Sequence, residues 1–392
     1  MLNGIVRLCV AAWLVTMTDG ASAQGLPASV TAPYQEYQAA IEAGDAAALL
    51  DAARRAYEAG EAARIDTLTL ATLAENYGFA ATANQRFDTA QDAWRDAARL
   101  SDRGNADPVD RAWRWHNAAT IALQNSDNDD AYACSRNAVQ ALEELDGDYS
   151  EASDFAADAF LTRSMVAMGR GRISDSGAAA LQAIGLFERH LDAPDTRYGL
   201  ALLYAGVSQT LDQEFELATY SLHMARDVLS DVSPGHSNAA TLQAALTSAR
   251  LNLYHDDEAE TEAAFARLYD RLAANRFHAE RYSEPEDVRP VAEQAEAEER
   301  PCCDAQSLVR REPRYPEDAL WSDLDGVVYV RFDVTAEGRT DNVEVIGAFP
   351  PGVFDQASIR AVRNWRYAPA TRDGEPVSRE NVETRFDFRI AR

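Results

Sequence analysis

From about residue 34 to residue 280, apolar side chains recur three and four positions apart and proline is scarce, so this segment reads as a run of amphipathic helices. The period changes after Gly326. Val328, Val330, Phe332 and Val334 alternate with Val327, Tyr329, Arg331 and Asp333, the two-residue repeat of a strand with one face in a core. Glu337-Gly338 predicts a hairpin turn, and Val343 and Val345 carry the apolar face along a return strand. Phe354, Ala357, Ala361, Val362 and Trp365 then fall on one side of a helix that cannot continue past Pro369. A turn at Asp373-Gly374 leads to a last strand, in which Val382, Thr384, Phe386, Phe388 and Ile390 alternate with Asn381, Glu383, Arg385, Asp387 and Arg389. The expectation is a three-stranded antiparallel sheet with one helix packed on it and a core of Val330, Phe332, Val345, Trp365, Tyr367, Phe386 and Phe388. Arg385 is expected to point outward.

The helical part repeats. Gly78 is followed by Ala90, Trp94 and Ala97; Ala119 by Ala131, Ser135 and Ala138; Ser164 by Ser176, Ala180 and Ala183; Gly206 by Ala218, Leu222 and Ala225; Ala249 by Thr261, Phe265 and Leu268. The internal offsets are 12, 4 and 3 in every set, and the sets lie 41 to 45 residues apart. A small residue lets a second helix approach closely, and a larger one on the partner fills the groove between them. Stacked helix pairs then bury a continuous core. This resembles the tetratricopeptide (TPR) repeat, with units longer than the usual 34 residues; a generic helical solenoid is the other reading. Either shape offers a concave groove for a peptide or protein surface, and the sequence does not name that partner.

Charge and export signals refine the picture. The 392 residues carry a net charge of −27, and all 37 basic residues are arginine. The acidity is concentrated before residue 301, since residues 301–392 hold 13 Arg against 16 Asp and Glu. Such a surface repels nucleic acid, and no nucleic-acid partner is expected. Arg7, the apolar residues 8–17 and Ala21-Ser22-Ala23 have the layout of a secretory signal peptide, with cleavage expected after Ala23 and an uncleaved anchor as the alternative. The apolar run has about ten residues, where a span needs about twenty. Cys134, Cys302 and Cys303 remain after cleavage and have no histidine nearby in sequence, so neither a metal nor another cofactor is expected. His116, His190, His223, His236, His255 and His278 are scattered singly, and no nucleophile–base pair or phosphate loop points to an enzyme. Residues 283–301, rich in Pro and Glu, read as a linker.

The motifs RYP at 314–316, GVVYVRFDVTAEGRTDNVEVIG at 326–347, FDQASIRAVRNWRYAP at 354–369 and VETRFDFRI at 382–390 closely resemble the C-terminal domain of the TonB family, over about a fifth of the chain. The resemblance implies a periplasmic role in which this domain binds a short extended peptide of an outer-membrane transporter, or of another envelope protein, by adding it as a strand beside the terminal strand. Carried onto this sequence, that edge comprises Val382, Glu383, Thr384, Arg385, Phe386, Asp387 and Phe388, with Arg314, Tyr315 and Pro316 as interface candidates. Two departures stand out. A short, apparently cleavable signal and a helical array replace the family's membrane anchor and extended spacer, and Glu312 and Arg314 occupy positions where the family carries glutamines.

The fold class expected is therefore α+β multidomain. A signal peptide (1–23) precedes an all-α TPR-like solenoid (30–282), an acidic linker (283–304) and a small TonB-like domain (305–392). The function expected is non-enzymatic: partner-protein binding by the array and peptide binding by the C-terminal domain, in transport across the outer membrane. The alternative is a periplasmic interaction scaffold not coupled to energy transduction.

Overall fold

A computed structural model describes residues 26–152, 155–232, 239–253, 258–277, 307–372 and 375–390. The expected signal peptide, the linker, Cys302, Cys303, His236, His255, His278 and the Asp373-Gly374 turn lie outside the described residues. The chain forms two compact units that divide between Val166 and Ala167, within the array.

The first unit contains α1 (Ala28–Ala43), α2 (Ala46–Ala63), α3 (Thr67–Ala83), α4 (Phe87–Arg103), α5 (Pro108–Gln124) and α6 (Asn128–Glu143), and α7 (Ala156–Gly169) begins in it. Successive helices pack as pairs: α1 with α2, α3 with α4, α5 with α6. Aspartates start four of them. Asp45, Asp66, Asp107 and Asp127 each accept from a backbone N–H of the first turn, satisfying donors that have no partner within the helix. The repeat spacing has a direct counterpart in packing. A Cβ on Gly78 of α3 would lie 2.9 Å from the Trp94 ring of α4, so the tryptophan fills the space that glycine leaves. Pair α1/α2 also keeps the spacing, with Leu49, Ala53 and Ala56 buried, but its leading position is the large Tyr37. The Tyr37 hydroxyl reaches Asn76 at 3.4 Å.

The second unit continues with α8 (Ile173–His190), α9 (Thr196–Leu211), α10 (Phe215–Val232), α11 (Ala239–Leu251) and α12 (Glu258–Ala273). Gly206 of α9 is backed by Leu222 of α10, whose Cγ would sit 2.5 Å from an added Cβ. After α12 the chain turns back, and the Asn275 side-chain amide donates to the hydroxyls of Tyr220 (3.0 Å) and Tyr198 (3.4 Å).

The same unit holds the small β domain: β1 (Ser307–Val309), α13 (Glu317–Trp321), β2 (Gly326–Val334), β3 (Thr340–Phe349), α14 (Asp355–Val362), β4 (Arg366–Tyr367), β5 (Ala370–Arg372), β6 (Glu375–Val377) and β7 (Arg379–Phe388). Its main sheet is antiparallel in the order β3-β2-β7, and β1–β4 and β5–β6 form two short ladders that the alternation did not predict. Val330, Phe332, Trp365, Tyr367, Phe386 and Phe388 make the predicted core with α14, and Val345 packs against it half-buried. The other face is not solvated. Val327 and Tyr329 are buried there, and α11 packs across it, chiefly over β3.

Both strands beside β2 carry a bulge at the same level. Arg331 pairs with Glu344 and Asp333 with Asp341 on one side; Phe332 pairs with Val382 and Val334 with Arg379 on the other. The extra residues are accommodated by Asn342 and Asn381, both at positive φ, a conformation asparagine tolerates. Asp333 ties the two bulges together. It accepts from the Asn342 side-chain amide at 2.6 Å and from the Asn381 backbone N–H at 2.9 Å.

Two of the single histidines are core residues. His116 stacks on Phe155, and burial lowers its pKa to about 4. His223 is also held near 4 by burial, with Arg226 and Arg250 lowering it further against the pull of Asp227. Both stay neutral in the fold and would bind a proton when exposed below about pH 6.5. Their contribution is present above that pH and is lost as the pH falls toward 4, because the unfolded chain then binds more protons. Urea unfolding at pH 7 and pH 5 is expected to show a loss of about 2 kcal/mol per histidine, and His116→Phe or His223→Phe should flatten the slope by that amount. Cys134 is buried too, and its thiol is pushed up to about 12, first by burial and then by Asp130, which suits a packing role.

Candidate functional site

β7 is an edge strand, since the sheet order leaves nothing paired on its outer side among the described residues. Along it, burial alternates unevenly. Phe386 and Phe388 are buried, Val382, Thr384 and Arg385 are half-buried, Glu380 and Asn381 are exposed, and the side chain of Asp387 is 28% exposed. Phe388 stacks on Phe354 with centroids 4.3 Å apart, and Phe386 meets the edge of Trp365. These contacts fix the strand by one face, and its outer backbone row is left as a template for another strand.

The side chains beside that row are held in place. Arg331 of β2 bridges to Glu383 at 2.9 Å and to Glu344 at 3.4 Å. Arg310, just after β1, lies over the Trp365 ring and donates to the Thr384 hydroxyl at 2.9 Å. Arg385 corrects the expectation of an outward side chain. It is 15% exposed, pairs with Asp387 at 2.9 Å and lies over the Phe215 ring of α10 at 5.4 Å. Surrounding side chains desolvate the Asp387 carboxylate enough to raise its pKa against the pull of Arg385.

The three interface candidates divide by role. Tyr315 is wedged edge-on against Phe354 and Phe388, and its hydroxyl donates to the Leu324 carbonyl. Pro316 opens α13 as its N-terminal cap, and Arg314 is exposed. Tyr315 thus anchors this stretch beside the end of β7 and keeps Arg314 at the surface. The alternation pattern missed α13 and the residues it displays. Trp321 is 86% exposed and Leu320 52% exposed, and the only signal for them was a five-residue run, EDALW, after a proline.

Comparison with known proteins settles what this sheet and helix are. The profile of the Gram-negative bacterial TonB protein C-terminal matches residues 311–390. Residues 311–390 are a TonB C-terminal domain. TonB of Escherichia coli strain K12 is 42% identical over 72 residues, which is 18% of this chain and 28% of that protein. The chain therefore spans only about a third or less of the length of that curated relative. Among solved structures, the TonB2 protein from Vibrio anguillarum is 30% identical, covering 22% of this chain and 83% of that one with a TM-score of 0.20. The helical array resembles the TPR2AB domain of yeast Sti1, with 14% identity over 59% of this chain and 99% of that one and a TM-score of 0.23. In the TonB C-terminal domain of this chain, the sheet has a helix-covered face toward α14 and a second face that α11 covers.

Among the described residues, no group of His, Cys, Asp and Glu could hold a metal ion, and no helix is long and apolar enough to cross a membrane.

Proposed function

We propose that this is a non-enzymatic protein of the Gram-negative cell envelope that captures an extended peptide on the outer edge of β7 and a partner protein on its TPR-like helices, in TonB-dependent transport across the outer membrane. The observation that carries this reading is an unpaired edge strand at the end of a TonB C-terminal domain. Backbone N–H and C=O groups of residues 382–388 supply affinity, and Glu383, Thr384 and Asp387 set register against the incoming strand. Arg314, held beside the strand end by the wedge of Tyr315, contributes a charge where the family carries a glutamine. The proposed setting is the periplasm, reached through the signal at residues 1–23, with domain limits of 30–282, 283–304 and 305–392. TonB-family proteins are energy transducers without catalytic chemistry, which agrees with a site made of backbone rather than of titratable groups.

A proline scan tests the edge. In an antiparallel pair, successive residues turn their N–H groups alternately toward the neighbour and away from it. Proline at Val382, Glu383, Thr384 and Asp387 therefore either breaks the ladder with β2 or removes only an outward donor. Arg385 is left unchanged because it packs on Phe215. Circular dichroism sorts the folded variants from the broken ones. The folded ones should bind a peptide from the N-terminus of a TonB-dependent transporter roughly tenfold more weakly, having lost backbone bonds. A folded proline variant with unchanged affinity rules out this edge.

A further inference from the structure

An unpaired sheet face is normally solvated or covered by a helix of its own domain, and here helices of the array cover it. Val327 and Tyr329, on the face away from α14, are fully buried. Arg385 of β7 lies over Phe215 of α10, and α11 crosses the sheet. Polar contacts ring this apolar centre. Arg389 donates to Asp212, at the end of α9, at 2.7 Å, and Arg172, just before α8, pairs with Asp323. The Asp325 N–H bonds the Gly171 carbonyl at 3.1 Å, and the Asp325 carboxylate takes the Ile390 N–H at 2.9 Å. Gly171 is required at that junction. Its φ is +65°, and a Cβ there would lie 2.6 Å from the Asp325 carbonyl oxygen.

We infer that helices α8 to α11 are the permanent seat of the TonB C-terminal domain, so that the two hold together without the chain that joins them. Three features lead to this. The contact has an apolar centre with a polar rim, the anatomy of a stable interface. It includes a backbone-to-backbone bond made possible by a glycine. And it grips β7 at Arg385 and, just past the strand's end, at Arg389, so a pull along β7 passes sideways into α10 and the end of α9. The array then acts as the handle of the β domain, which is a task distinct from binding a partner. This inference does not depend on what pairs with the outer edge of β7.

The test uses the full chain with a protease site engineered within residues 283–304 and an affinity tag after Arg392. After cleavage on the resin, the helical fragment is expected to stay with the tagged domain in equal amount through washing at physiological salt. Asp212→Arg, which sets two arginines against each other, should speed its release roughly tenfold, and the swap Asp212→Arg with Arg389→Asp should restore retention. Tyr329→Ala, at the centre of the face, should also speed release. Loss of the helical fragment from the unmutated protein in the first wash overturns the inference. So does retention that neither Asp212→Arg nor Tyr329→Ala shortens, because the seat would then lie elsewhere.

Discussion

Gly338→Ala is expected to unfold the C-terminal sheet while leaving the first helices intact. Gly338 closes the turn between β2 and β3 at φ +74°, where an L side chain is strained. A Cβ there would stand 1.9 Å from the Tyr367 carbonyl oxygen, and that is backbone, which cannot rotate aside. The same residue accepts a bond from the Tyr367 N–H at 2.9 Å, so any shift that relieves the clash also loses the bond. Tyr367 in turn is packed against Phe332 and Trp365 in the core. Strain, clash and lost hydrogen bond together should exceed about 4 kcal/mol, the range reserved for substitutions at special backbone positions. Hydrogen exchange read by mass spectrometry should show protection lost across residues 307–390 and kept in α1 to α6. Retained protection in β2 and β3 would mean that the turn can relax, contrary to this account.

The second large effect is expected in the helices, where Glu75 and Arg114 form a pair with side chains only 8% exposed, at 2.8 Å. Glu75 also accepts from the Trp113 indole at 3.1 Å, and Arg114 donates to the Ser101 hydroxyl at 2.6 Å. Glu75→Ala leaves a buried guanidinium with a neutral hydroxyl as its remaining side-chain acceptor in this group, and should cost about 3–5 kcal/mol. Glu75→Met combined with Arg114→Met removes both charges and should recover most of that loss. Urea unfolding of Glu75→Met, Arg114→Met and the double variant gives the coupling directly. Additive losses would show that the pair is not electrostatically linked.

How much of this was legible in the sequence depends on which signal each part carries. The helix pairs were readable because close packing imposes a size pattern, and Gly78 against Trp94 and Gly206 against Leu222 show why a small residue precedes a larger one at fixed spacing. The first pair escaped that alignment because Tyr37 occupies the small position and uses its hydroxyl on Asn76. The main sheet was readable from alternation, but alternation reports only one face at a time. Val327 and Tyr329 were apolar residues on the side taken as outward, and they marked a cover by α11, a helix that ends 76 positions before Val327. Arg385 misled for the same reason, since a guanidinium over an aromatic ring is indistinguishable from a solvated one in sequence. The ladders β1–β4 and β5–β6 and the short α13 have too few residues to display a period. The edge itself was visible as the last strand in the chain, and its place at the side of the sheet came from the strand order.

The carboxylate of Asp333 fixes the register of β7 itself. By holding Asn342 on one flank and Asn381 on the other, it pins the bulges of both outer strands to a single residue of the central one. A slip of β7 by one position would move Phe386 and Phe388 out of the core with α14 to the face that α10 and α11 cover, and would pull Asn381 off that anchor at once. A strand added to β7, as proposed above, would meet a ruler whose marks do not move, and its side chains would be read in one frame only.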